Sequence, residues 1–432
     1  MRTYLLNVLL LMTIAASAQQ TPAFTPPVSV HKYYNPAYLH LFDQAEIQLY
    51  TFADFYSGSN SLPAGFVQTL LFGSFIDDAR KDKASEQLKT DNTAGFDLNS
   101  GVWFSTYLGD SNTYRLHLGV EYQNHRGLAY TPHLFELAFY GNAGLADQTA
   151  DISNSSYDGA VWMSYRTALS RLYPTSKGLF SAAIGASFLQ GLSGENLEIE
   201  RGLIYTAPDG SYLDLDYQFT FNTSDTKVVR LGNTKGIGTA GDLFLSWESP
   251  GKRWFSNFAF TDFGVISWNK TPLQYQGDSS SRFEGIDITD VLTAGSDAAI
   301  GNEELLMEYV QLDSNTNAFT TVLPMRLEWN TTYYIPEKMI RLSAGVHHRL
   351  QTEYSPLFYL RAGKALPASG THLSVVGSVG GYGSYGLGLD IHQRIGPYIR
   401  LNAGSSSLLG FIAPDQFFTE AVYLAISIGF NP

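Results

Sequence analysis

From about residue 98 onward the chain alternates apolar and polar side chains in segments of about ten residues, separated by turn-forming residues. Arg115, His117, Gly119, Glu121 and Gln123 interleave with Leu116, Leu118, Val120 and Tyr122. Asp214, Asp216, Gln218 and Thr220 interleave with Leu213, Leu215, Tyr217 and Phe219, and Arg341, Ser343, Gly345, His347 and Arg349 with Ile340, Leu342, Ala344 and Val346. Successive side chains of a strand point to opposite faces, so each segment carries one polar and one apolar face. An antiparallel sandwich alternates as well, and the period alone does not say which face meets lipid.

Three features favour a membrane barrel over the sandwich: the strands are long and numerous, aromatic residues gather near segment ends, and the chain closes on a strand. In that last segment Val422, Leu424, Ile426, Ile428 and Phe430 oppose Tyr423, Ala425, Ser427 and Gly429, and Phe430 is the expected terminal signal read by the barrel-insertion machinery. The pattern predicts an all-β fold, a transmembrane antiparallel β-barrel of about fourteen strands within a range of twelve to sixteen. The first strand is expected over residues 45–52. Others centre near Trp103, Leu118, Trp162, Ile184, Ile204, Leu215, Leu245, Phe260, Leu327, Gly345, Tyr359, Val376, Leu389 and Leu401, a set slightly larger than the count itself.

Several intervening stretches are too long for turns. Residues 19–43, rich in Pro and Tyr, are expected to fold back as a luminal plug ahead of a barrel spanning 44–432. Residues 77–91 read as a short exposed helix. Residues 133–140, apolar and bounded by Pro132 and Gly141, read as a short helix forming an inner wall, with Phe135, Leu137 and Phe139 lining a pocket. The longest insertion, 271–317, lacks clean alternation and holds an acidic helix-like patch at 302–308; loops of this length are usually functional or disordered.

Composition sharpens the picture. The N-terminus has Arg2, an apolar run over 4–14 and the small triplet Ala16-Ser17-Ala18, a secretory signal peptide over residues 1–18. No later stretch approaches the roughly 18 apolar residues of a transmembrane helix, so a membrane location requires a barrel. The absence of cysteine excludes a lipid-anchored thioether, disulfides, thiol catalysis and thiolate metal sites. The chain has 27 Lys plus Arg against 40 Asp plus Glu, and losing Arg2 makes it more negative still, a poor surface for nucleic acid. The 27 Tyr and 27 Phe suit the aromatic girdles of a barrel. Together these features place the mature chain in a Gram-negative outer membrane, in contact with its lipid.

Certain strings carry a family likeness. Asn35-Pro36-Ala37, Gly141-Asn142, Gly236-Ile237-Gly238 leading to Asp242, and above all Thr261-Asp262-Phe263-Gly264-Val265-Ile266-Ser267-Trp268 followed by Phe283-Glu284-Gly285-Ile286-Asp287 resemble a family of Bacteroidota outer-membrane barrels of unassigned activity. Its strand ending in Asp-x-Gly-x-Ile-x-Trp corresponds to Asp262, Gly264 and Trp268, and its following segment to Gly285 and Asp287. The Asn35-Pro36-Ala37 start also resembles the broader class of FadL-like barrels, which includes fatty-acid channels and accessory barrels of type IX secretion and gliding machinery. The resemblance implies fold and location more than activity.

No enzyme chemistry emerges. Gly381-Tyr382-Gly383-Ser384-Tyr385-Gly386 has the letters of a dinucleotide fingerprint, but strand-like alternation follows where a helix is needed. His347 and His348 are adjacent and face opposite ways on a strand, so they do not chelate one metal. Of Glu195, Glu198 and Glu200 only the last two share a face, too few oxygens for calcium. No Gly-x-Ser-x-Gly elbow is present. The expectation is a protein without catalytic residues, cofactor or metal.

What remains is the interior. On this reading Arg115, Glu121, Asp214, Asp216, Arg326, Glu328, Arg341 and Arg349 face the lumen, either as a salt-bridged filling or as a selective channel lining. Two functions follow: FadL-like passive uptake of a hydrophobic or amphipathic small molecule, or a non-transporting scaffold whose insertion docks a periplasmic or surface protein partner of a secretion or gliding complex.

Overall fold

The computed structural model describes residues 34–42, 45–73, 75–109, 112–224, 229–284 and 313–430. The expected signal peptide, the start of the N-terminal segment, the acidic patch at 302–308 and the motif residues Gly285 and Asp287 lie outside the described residues.

Fourteen antiparallel strands close into one ring. They are β1 (Ile47–Ser59), β2 (Asn92–Leu108), β3 (Tyr114–Tyr130), β4 (Ser155–Thr175), β5 (Gly178–Thr206), β6 (Gly236–Glu248), β7 (Trp254–Trp268) and β8 (Arg326–Ile335). The remainder are β9 (Ile340–Arg349), β10 (Ser355–Leu366), β11 (Thr371–Gly381), β12 (Tyr385–Ile395), β13 (Ile399–Ser407) and β14 (Thr419–Phe430). Each pairs with its sequence neighbour, and closure runs through β1 and β14 with Ile47 opposite Phe430. Phe430 is half-exposed and stacks on Tyr398 of the preceding turn.

The alternation read from the sequence is resolved here into an inverted molecule. On β3, Arg115, His117, Glu121 and Gln123 are buried, whereas Leu118 and Val120 are about 40% exposed, at 42% and 41%. On β12 Leu387, Leu389 and Ile391 are exposed while Asp390 and His392 are buried, and on β14 Val422 and Leu424 are exposed while Tyr423 and Ser427 are buried. An exterior of Leu, Val, Ile and Phe around a polar interior is the pattern of a transmembrane barrel, whose lipid-facing band is apolar and whose closed ladder leaves no backbone edge unpaired. Among the described residues no helix is long and apolar enough to cross a membrane.

The two ends differ. At the end that holds Ile47 and Phe430 the connections are short, as between β4 and β5 at Thr175 and Gly178 or between β12 and β13 at Ile395 and Ile399. At the opposite end lie the long connections with helices α2 (Ala64–Phe72), α3 (Asp78–Ser85), α4 (Pro132–Phe139) and the short α5 (Leu409–Ile412). Asp77 caps α3, accepting from the Arg80 amide at 2.9 Å. Thr131 caps α4, accepting from the Leu134 amide at 3.2 Å, with Pro132 in the first turn where its missing N–H costs nothing.

The predicted strand centres near Ile204 and Leu215 are not ring strands. Ile204 belongs to the same 29-residue strand as Ile184, and β5 continues far beyond the ring. From Gly178 to Gly191, at roughly 3.3 Å per residue and a tilt of about 40°, β5 already rises about 30 Å, more than the ~25 Å apolar band. Its upper part pairs with Leu213–Thr223, which pairs with Leu273–Phe283, making a sheet that projects from the loop end. The described ends of the 271–317 insertion are thus strands of this sheet, the short Asp313–Asn315 strand included. Omitting those two centres leaves the fourteen that form the ring.

Candidate functional site

One further helix, α1 (Pro36–Phe42), lies within the ring, and every residue of it is buried. The Asn35 side chain caps it, accepting from the Tyr38 amide at 2.9 Å, and Pro36 opens its first turn. Ala37 has no exposure and sits against Ala183, Phe244 and Ala259, where only a methyl group fits between helix and wall. Tyr34 stacks on Trp103 with ring centres 4.4 Å apart, and Tyr38, Leu39 and Phe42 pack with Tyr50, Phe52 and Phe255. This apolar layer closes the lumen near the short-turn end.

Above it lies a layer of charge. Arg166 on β4 reaches Glu121 at 2.9 Å, Asp242 at 2.9 Å, and Asp262. Arg326 on β8 reaches Asp262 at 2.8 Å and Glu121 at 3.6 Å, and the Trp103 indole donates to Glu121 at 2.9 Å. Asp262 occupies the left-handed region at φ 63° in a bulge where β6 and β7 slip register, and its backbone amide donates to Asp242 at 3.0 Å. Buried charges persist only when paired and hydrogen-bonded, and this cluster satisfies that condition by drawing on five strands. The space beside it, bordered by Asn35, Trp103, Arg166 and Arg326, is about 20 Å³, room for a single water.

A third layer closes the loop end. Tyr56, Tyr354 and Tyr382 pack together, with Tyr354 and Tyr382 at a right angle and 5.1 Å between ring centres. Beneath them Asp97 joins His125 at 2.8 Å and Arg349 at 2.9 Å.

The residues singled out from the sequence fall into distinct places. Arg115, Glu121, Arg326, Arg341 and Arg349 are buried in the lumen, and Glu328 is half-buried there against His347 at 3.0 Å. Asp214 and Asp216 are not luminal: they stand on the projecting sheet, where Asp214 pairs with Arg282 at 2.7 Å and Asp216 with Arg201 at 3.0 Å, all about half-exposed. Alternation assigns a face, not a height, and these two lie beyond the ring. The hydrogen bond from Arg282 holds the Asp214 carboxyl below its ordinary value.

The expected inner wall is corrected as well. Phe135 is buried, and Leu137 and Phe139 half-buried, at the loop end rather than in the lumen. There α4 packs on α2 through Phe66, Phe135 and Phe139. An apolar run marks a helix needing cover, but only tertiary structure says that other loop helices supply it.

The strand motif has a physical account: Asp262 joins the charge layer, and Ile266 and Trp268 are fully buried in an apolar cluster with Trp162 and Leu189. A Cβ at Gly264 would run into the Thr239 carbonyl and Ala240 of the adjoining strand. Sequence reading missed Arg166, Asp242, Asp97 and His125 as network members, although each sits at an inward position of an alternating strand. Tyr382, within the glycine-rich stretch, is a luminal stopper followed by strand β12 rather than a helix. Among the described residues no three His, Asp or Glu side chains gather as metal ligands.

Outside the lumen, the projecting sheet carries an almost entirely apolar groove of about 290 Å³ lined by Ile152, Leu197, Ile199, Leu215, Tyr217 and Phe219. That size lies at the lower edge of small-molecule sites.

A family model described as "Family of unknown function (DUF5723)" matches residues 51–398. The chain belongs to this family. The ring from within β1 to the turn before β13, with the charge layer and the groove, lies in the matched span, whereas Asn35-Pro36-Ala37 and the start of β1 precede it. No curated protein matches the chain by sequence. Among solved structures, a deletion mutant of the monoaromatic hydrocarbon channel TodX is 10% identical, with a TM-score of 0.44 over 92% of this chain and 93% of the other. The Pseudomonas putida toluene transporter TodX gives 10% and 0.43 over 94% and 96%, and a Pseudomonas aeruginosa FadL homologue 10% and 0.41 over 96% and 97%.

Proposed function

We propose that this protein is an integral outer-membrane barrel, exported by a signal peptide over residues 1–18, that takes up a hydrophobic or amphipathic small molecule. The observation that carries the reading is the apolar groove on the projecting sheet. With the termini at the periplasmic side and long loops outside, as barrels of this type are oriented, the groove stands on the cell exterior beyond the lipid band. An apolar concavity facing water is best understood as a capture site. The lumen behind it is occluded by α1, the charge layer and the loop-end tyrosines, so passage requires these layers as well as the N-terminal segment to shift. No catalytic group, cofactor or metal takes part in this reading, and outer-membrane lipid and the insertion machinery, engaging the β14 end at Phe430, are its partners.

The filled lumen favours a second reading, a scaffold for a secretion or gliding-type envelope complex, because paired charges and packed aromatics rigidify a barrel without providing a path. Binding of a pyrene-labelled fatty acid to the purified protein separates the two. Uptake predicts saturable binding that Leu215→Glu and Phe219→Glu weaken by about tenfold or more. Absence of binding, together with a stoichiometric envelope protein recovered on the barrel, would favour the scaffold.

A further inference from the structure

The luminal helix is tied to the wall by a run of hydrogen bonds whose direction follows from its last acceptor. His40 Nε2 lies 2.9 Å from the Asn112 carbonyl oxygen, which only accepts, so Nε2 carries the hydrogen. In a neutral ring His40 Nδ1 is then an acceptor, and Ser170 Oγ donates to it at 2.8 Å. With its hydrogen committed, Ser170 accepts from His117 Nε2 at 2.8 Å. His117 Nδ1 is left to accept from the Tyr34 hydroxyl, also at 2.8 Å. Tyr34 precedes α1 and His40 lies near its end, so both ends of the luminal segment are fastened to β3 and β4 through two uncharged imidazoles. All four side chains are buried.

We propose that the Tyr34–His117–Ser170–His40 chain is an acid-released latch that holds the luminal helix inside the barrel. A proton added at His40 Nδ1 displaces the hydrogen that Ser170 donates there and turns that hydroxyl to the Arg115 carbonyl oxygen, 3.4 Å away, and one added at His117 Nδ1 displaces the hydrogen of the Tyr34 hydroxyl; either turns one link of the chain around. The cation so formed also faces Arg115 on β3, whose guanidinium lies over the Tyr107 ring of β2, 4.8 Å from its centre, with His40 on the same ring at 5.6 Å. Glu121, further along β3, is engaged by Trp103 and Arg166. Burial holds the His40 imidazole below its ordinary value against the raising effect of the Asn112 hydrogen bond, and the Arg115 charge lowers it further. A group whose docked value is lowered favours docking at pH above its free value and loses that contribution as pH falls. The latch rests on the barrel alone and not on the nature of any ligand.

The chain contains no cysteine, so a single introduced thiol reports on α1. Leu39→Cys places it at a position 1% exposed, and Ser176→Cys in the exposed β4–β5 turn gives the reference rate at each pH. The full-length protein in detergent is treated with a methanethiosulfonate reagent. The Leu39→Cys rate relative to the reference rises about tenfold or more as pH falls from about 8 to about 4.5. Adding Ser170→Ala produces that rise at neutral pH and flattens the remaining dependence. Tyr34→Phe, which removes only a hydroxyl, moves the rate the same way and serves if Ser170→Ala does not fold, as judged by heat-modifiable gel mobility. A relative rate that stays low at every pH in the parent, or that neither variant changes while the barrel remains folded, overturns the latch. Either result leaves the groove and its ligand-binding test untouched.

Discussion

The backbone amide of Asp262 donates to the carboxylate of Asp242 at 3.0 Å, across the point where β6 and β7 slip register. The bulge brings a second carboxylate beside the first and turns both toward Arg166, so a backbone irregularity and a charge cluster depend on each other.

Arg166→Leu therefore leaves Glu121, Asp242 and Asp262 short of a buried counter-charge. The expected loss is about 3–5 kcal/mol of barrel stability. It is measured as a lowered urea midpoint of the detergent-folded protein, with Arg166→Leu/Asp242→Leu recovering part of it. An unchanged midpoint would mean that the cluster does not hold the wall.

The lipid-facing belt gives a contrast between neighbours. Leu389 is 53% exposed on the outer side of β12, while Asp390 points inward to Arg361 at 2.7 Å and accepts from the Tyr423 hydroxyl at 2.8 Å. Leu389→Lys is expected to cost about 2–4 kcal/mol in folding into vesicles. Equal stability of this variant and the parent would place that face in water.

Trp268 occupies a pocket walled by Gly191, Gly194 and Gly236. A Cβ at Gly194 would enter the indole ring, so Gly194→Ala is expected to lower stability by about 1–3 kcal/mol. Trp268→Phe in the same chain should restore much of the melting temperature, because it removes the colliding atoms; failure of that rescue would place the strain elsewhere.

Three layers close the lumen, so removing one should not open it. Deletion of residues 34–42 is expected to leave liposome swelling by small sugars near background. Deleting that segment together with Tyr354→Ala and Tyr382→Ala should raise it. Fast swelling on the single deletion would show that charge and tyrosines do not seal the barrel.

Much of this was legible from the chain itself. A period of two fixes which side chains share a face, and the scarcity of long apolar runs leaves a closed barrel as the membrane solution, so the ring and the inward Arg115, Glu121, Arg326, Arg341 and Arg349 follow from local pattern. Asn35-Pro36-Ala37 stood out in the sequence only as a family motif; that Asn35 caps a buried helix opened by Pro36 came from the structure. Height and partnership were not legible. Asp214 alternates as Asp390 does, yet β5 outruns the membrane and carries its neighbour strand into solvent. Phe135 sits in as apolar a stretch as Leu39, yet the first is covered by loop helices and the second by the barrel wall. Arg166, Asp242 and Asp262 are far apart in sequence, and only ring closure and the bulge make them neighbours. Local sequence sets the direction of each side chain through backbone geometry, whereas what that side chain meets depends on strand length, shear and closure, which belong to the whole ring.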